Sequence, residues 1–279
     1  MIFNTLNLRK RSYRYNALSW LEKSLSQGVT PTNSVVVLGY NNTQYHPKQI
    51  RRDFAGKQII VYQLEQISAP DNLWLNPKNK TPIVRKRTAH LTNWYNVADT
   101  IWEYDKDNLK LLQDLRYGAK STLKPITEVT PYIYPKSSEK PIWDAIFYGS
   151  MNHKRLSVLT TVAKYFNVCV ICQDEGHYHQ KLKSAGCDVF TPQFYEDLWE
   201  YVNLSKCVLN LHYYSIQEQV RISECVANGK IVLSESSKSN IYGDAIEVFY
   251  SSDDLLSKLE SIIFDKHPLC GVDIADKYQ

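Results

Sequence analysis

Val220–Ser236 reads VRISECVANGKIVLSES, and the fold can be argued outward from it. Its first half suits a helix carrying Arg221 and Glu224 three residues apart on one face. Asn228-Gly229 is a turn signal. Lys230–Ser234 (KIVLS) is then a short run of the kind buried in a parallel strand. A helix that drops through a tight turn into a buried strand is part of a β-α-β unit. The flanking sequence is therefore expected to alternate in the same way.

It does. Upstream, DAIFYG (Asp144–Gly149), VCVIC, DVF and CVLNLHY read as strands, and helices are expected over Arg155–Tyr165, after His177 and over Tyr195–Asn203. Downstream, AIEVFY and a helix over Asp253–Phe264 finish the pattern. The first half alternates too. MIFNTLN, Ser34–Tyr40, Gln58–Glu65 and Thr100–Asp105 read as strands, and a short one is expected near Val129–Ile133. Ser12 is placed to cap a helix from Tyr13 to Gln27, and a second helix runs through Leu109–Leu115. Pro131, Pro135 and Pro141 punctuate the polar stretch around YPKSSEKP, which reads as a linker. The expectation is an α/β protein of two Rossmann-like domains, 1–138 and 139–265, with a tail over 266–279 returning towards the first. Parallel sheets facing across a cleft would hold a ligand at the carboxyl ends of their strands.

Composition sets bounds. The 279 residues are 43% apolar and 22% charged, which suits a folded, soluble chain. No stretch approaches the roughly 18 apolar residues of a membrane span, and the start, MIFNTLNLRKRSYRY, lacks the order of a signal peptide. A cytoplasmic protein is expected. The six cysteines (Cys169, Cys172, Cys187, Cys207, Cys225 and Cys270) sit mostly in apolar runs and are expected to be reduced core residues. Cys169 and Cys172 form a C-x-x-C pair, but in a strand their sulfurs would face opposite sides, so no metal site is expected. Net charge is +4, split as +10 over residues 1–140 and −6 over the rest. Arg9-Lys10-Arg11, Arg51-Arg52 and Arg85-Lys86-Arg87 are either a solvated surface or a face that meets something acidic.

Absences narrow the function. Glycine is only 10 of 279 residues. There is no G-x-G-x-x-G, no G-x-x-x-x-G-K-[ST] and no G-x-S-x-G, so the dinucleotide, P-loop and serine-hydrolase signatures are missing. The opening stretch offers something else. A helix start after a strand favours anions. Arginine adds a bidentate grip on a diphosphate. A glutamate one turn further along can accept two hydrogen bonds from a ribose diol. The alternative is an i,i+3 surface ion pair, worth a few tenths of a kcal/mol.

R-x-x-E-x-x-x-x-G-x-x-V, from Arg221 to Val232, resembles the donor-binding signature of GT-B glycosyltransferases, both exostosin-type enzymes and phage DNA β-glucosyltransferases. DAIFYGSMNHKR resembles the opening of their C-terminal domain, where Gly149, Ser150, His153 and Arg155 would meet phosphate. DVFTPQFYEDLWEYVNLSKCVLNLHYY resembles the later base-binding turn, helix and strand. There Phe190, Thr191 and Pro192 would meet the base, and Tyr213 and Tyr214 would either flank the sugar or pack into an aromatic core. QIIVYQLEQI resembles the strand that ends in the catalytic base of the phage enzymes, which places Glu65 in that role. Arg9 and Asn41 would line the acceptor side.

The resemblance implies transfer of a sugar from a nucleotide sugar, a UDP-sugar such as UDP-xylose or UDP-glucose, to a glycan hydroxyl. Glu218 and Glu224 are six apart, not the eight of the E-x7-E pattern of many retaining enzymes, which argues for inversion. The nucleotide sugar is a co-substrate, and no resident cofactor or metal is expected. Ser150, Arg155 and Arg221 would steady the departing diphosphate, Glu224 would bind ribose, and Glu65 would take the acceptor proton. The compact size resembles virus-encoded enzymes that decorate capsid glycoproteins. Two other outcomes stay open: a base in DNA as the acceptor, or a non-catalytic nucleotide-sugar-fold binding protein. Asp105-Lys106-Asp107 is formally the D-x-D of metal-dependent glycosyltransferases, but helix capping explains it more simply.

Overall fold

A computed structural model describes residues 1–4, 19–27, 31–38, 46–64, 67, 82–129, 132–172, 176–191, 195–213, 219–237 and 240–264. The chain divides into two compact units, Met1–Pro131 and Tyr132–Gln279.

The first unit is built on β1 (Ile2–Asn4), β2 (Ser34–Leu38), β3 (Gln58–Gln63), β4 (Thr100–Glu103) and β5 (Ser121–Leu123). All pairings are parallel and the spatial order is β1-β2-β3-β4-β5, the order of the sequence. The described helices are α1 (Ser19–Ser26), α2 (Pro47–Asp53), α3 (Pro82–Val97) and α4 (Lys106–Leu112). The β-branched runs of β2 and β3 are buried on both faces, as a parallel sheet requires. One face carries Val35, Val37, Ile59, Val61 and Ile101, which pack on Ile50 of α2, on Leu91, Trp94 and Tyr95 of α3 and on Leu112 of α4.

Three features depart from the sequence-based expectation. The fifth strand is Ser121–Leu123, whereas the described residues around Val129–Ile133 form no strand. Three residues at a sheet edge, none fully buried, leave almost no periodic trace. Helix α2 begins at Pro47, whose missing N–H costs nothing at a first helical position, and His46 caps it by accepting from the Lys48 N–H at 3.2 Å. Helix α3 spans 16 residues through the cationic run Arg85-Lys86-Arg87. At the D-x-D, Asp105 caps α4: its Oδ1 accepts from the N–H groups of Asp107 and Asn108 at 2.9 and 3.0 Å. The Ser12 cap and the first residues of the helix expected from Tyr13 lie outside the described residues.

The second unit contains β6 (Trp143–Tyr148), β7 (Val168–Ile171), β8 (Asp188–Phe190), β9 (Ser205–Asn210), β10 (Ile231–Glu235) and β11 (Glu247–Phe249). They alternate with α5 (His153–Val162), α6 (His177–Ser184), α7 (Tyr195–Asn203), α8 (Gln219–Ala227) and α9 (Ser252–Ile263). Again all pairs are parallel, but the spatial order is β11-β10-β9-β6-β7-β8. The chain steps outward from β6 through β7 and β8, then returns to the other side of β6 with β9. That reversal opens a crevice at the carboxyl ends of β6 and β9, where ligands bind in open α/β sheets.

Asn228 ties the start of this unit to its core. Its Oδ1 accepts from the Tyr134 N–H at 2.7 Å, and its Nδ2 donates to the carbonyls of Tyr132 and Glu224 at 3.0 and 2.8 Å. Gly229 follows in the left-handed region (φ 71°), which ends α8 and aims the chain into β10. Of the expected linker, Lys136–Ile142 is exposed. The five described cysteines are free and buried. Burial pushes the thiols of Cys187 and Cys225 up to about 12, and that of Cys169 upward too. Among the described residues no group of three or more His, Cys, Asp or Glu is placed to hold a metal.

Candidate functional site

The site grows out of two strand ends. Strand β6 buries residues on both faces and stops at Gly149, whose φ of +144° suits glycine. A side chain there would displace the guanidinium: a Cβ on Gly149 would lie 2.7 Å from Arg221 Nη2. The glycine is what lets the guanidinium lie against the backbone. After it, Asn152 caps α5 by accepting from the Arg155 N–H at 2.8 Å, so the helix start is fixed beneath the loop. His153 and Lys154 are the first two residues of α5 and both are exposed. His153 lies edge-on to Tyr178. Ser150 is exposed at the mouth of the turn.

Arg221, on the first turn of α8, reaches over the end of the sheet. Nη1 donates to Asn210 Oδ1 at 2.8 Å, and the guanidinium lies over the rings of Phe147 and Tyr148 at 5.3 and 5.0 Å. Asn210 is held in turn, its Nδ2 donating to Ser234 Oγ at 3.0 Å. Glu224, one turn further along, sits deeper. Oε2 accepts from Tyr148 OH at 3.1 Å and Oε1 from Trp199 Nε1 at 3.2 Å. The indole of Trp199 is stacked on Tyr134, with ring centres 4.4 Å apart. Arg221, Arg155 and Glu224 are 9%, 2% and 1% exposed, so of the three only the first presents an edge to solvent.

Arg155 is a staple. Nε and Nη2 donate to the Leu211 carbonyl at 3.0 and 2.5 Å, and Nη1 donates to the Ser150 carbonyl at 2.6 Å. It therefore joins the loop after β6 to the loop after β9 across the reversal in strand order. Its guanidinium is sandwiched between the Phe147 and Tyr213 rings at 5.2 and 5.1 Å, and Tyr213 is partly exposed. On the far side of the crevice Phe190 ends β8, its ring packed against Tyr201 and Trp143 rather than on a ligand face. Thr191 Oγ1 donates to the Cys172 carbonyl at 3.0 Å.

Of the sequence-predicted residues, the fold gathers Gly149, Ser150, His153, Arg155, Tyr213, Arg221 and Glu224 at the reversal, with Phe190 and Thr191 two strands away. Arg9, Asn41, Glu65, Pro192, Tyr214 and Glu218 lie outside the described residues. Sequence reasoning missed Tyr148, Trp199, Asn210 and Glu235. Tyr148, Asn210 and Glu235 are the last residues of their strands, and that position was the signal available.

No family model and no curated protein sequence matches the chain. Solved structures do. The chain is similar to HepE from Anabaena in complex with UDP and glucose, at 9% identity, 88% coverage of this chain, 73% of that chain and a TM-score of 0.55. It is also similar to the sucrose-phosphate synthase of Thermosynechococcus elongatus, at 11% identity, 93% and 71% coverage and a TM-score of 0.52. It spans about half (52%) of the matching chain in the Glycosylation Associate Protein (Gap123) complex of Streptococcus agalactiae, at 10% identity, 92% coverage of this chain and a TM-score of 0.47. At such identities the likeness speaks to fold, and the fold is of the GT-B class: two α/β units, each with a parallel sheet.

Proposed function

We propose that the protein is a glycosyltransferase that moves a sugar from a nucleotide sugar, a UDP-sugar, to an acceptor hydroxyl with inversion. The observation that carries this reading is the fit of Arg221 against Gly149 at the strand-order reversal, beside the capped start of α5. A guanidinium held there by Asn210 is pre-aimed, so little reorganisation is needed as negative charge grows on a departing diphosphate. Ser150 and the N–H groups of the α5 start add donors. The likeness to HepE bound to UDP and glucose supports the donor class.

The roles divide by burial. Arg221 meets the diphosphate. Arg155 holds the Ser150 and Leu211 carbonyls and so fixes the shape of the seat. Glu224 already accepts from Tyr148 and Trp199 and is buried beneath them, so a ribose diol reaches its remaining lone pairs only if these side chains shift. Phe190, Thr191 and Pro192 meet the base through backbone atoms. Glu65 takes the acceptor proton, and Arg9 and Asn41 line the acceptor side. The acceptor is a glycan.

The test is calorimetry with UDP, GDP and CDP. UDP is expected to bind, and at about 100 times its dissociation constant to stabilise the protein by about 2.7 kcal/mol. Arg221→Ala should lose that binding, and Glu65→Gln should keep it while losing transfer. No nucleotide binding to the wild type would end this reading and leave a scaffold protein.

A second reading makes the acceptor a base in DNA, favoured by the +10 charge of residues 1–140. Several of those cations are already engaged. Arg51 pairs bidentately with Asp99, Lys120 donates to the Tyr95 and Ala98 carbonyls, and Lys124 pairs with Glu128.

A further inference from the structure

One charged cluster at the crevice has no part in the reading above. Glu235 is the last residue of β10. Its Oε2 accepts from the His212 N–H at 3.1 Å, and its Oε1 pairs with Lys154 Nζ at 2.6 Å. His212, buried just past β9, donates from Nε2 to the Glu235 carbonyl at 2.7 Å. The Glu235 carbonyl also accepts from Ser234 Oγ at 3.1 Å, and Ser234 Oγ accepts from Asn210, the residue that holds Arg221. The carboxylate is thus held by a backbone N–H, while the buried imidazole pins the backbone of the same residue, on the chain of hydrogen bonds that orients Arg221. Yet the side chains of Lys154 and Glu235 keep 49% and 22% of their surface exposed.

Position says what such a pair would meet. Across the sheet the strand ends run β10, β9, β6, β7, β8. The base turn follows β8, and the diphosphate seat lies at β6 and β9. A nucleotide sugar laid across these ends puts its last part, the sugar, beside β9 and β10. Among the described residues the charged side chains there are Glu235 and Lys154. A fixed carboxylate accepts from hydroxyls, and an ammonium beside it donates to them, which is the complement of a vicinal diol.

We propose that Lys154 and Glu235 form the subsite that reads the hydroxyls of the transferred sugar. This rests on the nucleotide-sugar reading, and one set of titrations separates the two. Wild type, Glu235→Gln and Lys154→Met are titrated with UDP and with UDP-glucose, UDP-xylose, UDP-galactose and UDP-N-acetylglucosamine. The glutamine keeps an oxygen for the His212 N–H, and Lys154 is half exposed, so both variants should keep the wild-type melting temperature. In Glu235→Gln, affinity for the preferred UDP-sugar is expected to fall about tenfold, the loss of one charge-assisted hydrogen bond, while UDP affinity stays within about twofold. Lys154→Met should narrow the differences among the four sugars. If UDP and UDP-sugars weaken together, or neither weakens, the pair is a surface ion bridge and the subsite is refuted. If wild type binds none of the five, the nucleotide-sugar reading itself has failed.

Discussion

Gly149 shows how much one missing side chain decides. Its φ of +144° and the 2.7 Å that would separate a Cβ from Arg221 Nη2 both exclude alanine without movement. Gly149→Ala should therefore push the guanidinium off Asn210, and UDP affinity by calorimetry should drop about tenfold or more. Glu103, in the first unit, poses a different problem. Its Oε1 accepts from the Asp105 N–H and Asn108 Nδ2, but Oε2 is buried without a partner. Burial raises this carboxyl well above its ordinary value of 4.5, against those two hydrogen bonds, and Asp105 is raised by burial as well. A group whose folded-state value is raised holds its proton more tightly folded than unfolded. Its contribution to stability is full below 4.5 and is lost as pH rises through the folded-state value. Asp99 acts oppositely: burial raises it, but Arg51 and the Ile59 N–H lower it more, so its contribution is present above 3.8 and lost in acid. Urea midpoints from about pH 5 to pH 8 should fall for wild type and fall less steeply in Glu103→Gln, where Asp105 still contributes. The D-x-D carboxylates were readable as a cap because capping is local. The burial of Glu224 under Tyr148 and Trp199 was not, because those partners lie 76 and 25 residues away in sequence.

The elements that could be read were those buried on both faces or closed by local turn chemistry. The runs of β2, β3, β6, β9 and β10 announce themselves, since a parallel strand between helices leaves no polar face. Helix α8 was framed by Asn228-Gly229. Helix α3 was not read, because Arg85-Lys86-Arg87 and two asparagines mask it. Even so, Leu91, Trp94, Tyr95 and Ala98 recur at i, i+3, i+4 and i+7, and all four are in the core. Strand β5 is too short to carry a period. The end of α8 also supports a stability prediction. Asn228 makes one bond to a backbone N–H and two to backbone carbonyls, with partners at the start of the unit and in its own helix. Asn228→Ala leaves buried backbone groups unpaired and should cost about 2–3 kcal/mol in urea denaturation.

For the whole molecule the informative contrast is between the two sheets. One keeps sequence order from edge to edge, and the other reverses at β6 and β9. Only the second therefore has, within the described residues, a crevice made by helices leaving opposite sides of neighbouring strands. Strand order was not legible in the sequence, since it depends on which neighbour a returning strand chooses. Charge follows the same division, +10 over residues 1–140 and −6 beyond. If duplex DNA is the acceptor, filter-binding affinity should fall steeply and linearly with the logarithm of salt concentration. A glycan acceptor predicts no retention of DNA near physiological salt.

The stack of Tyr134 on Trp199, with the indole N–H on Glu224, has an optical consequence. Indole emission shifts with its hydrogen bonding and its neighbours, and of the six tryptophans this one touches a carboxylate assigned to the ribose. Arrival of a nucleotide that competes for Glu224 would recolour that fluorescence without any label. Trp199→Phe would remove the part of that change that comes from Glu224. The protein thus carries its own lamp at the proposed nucleotide seat.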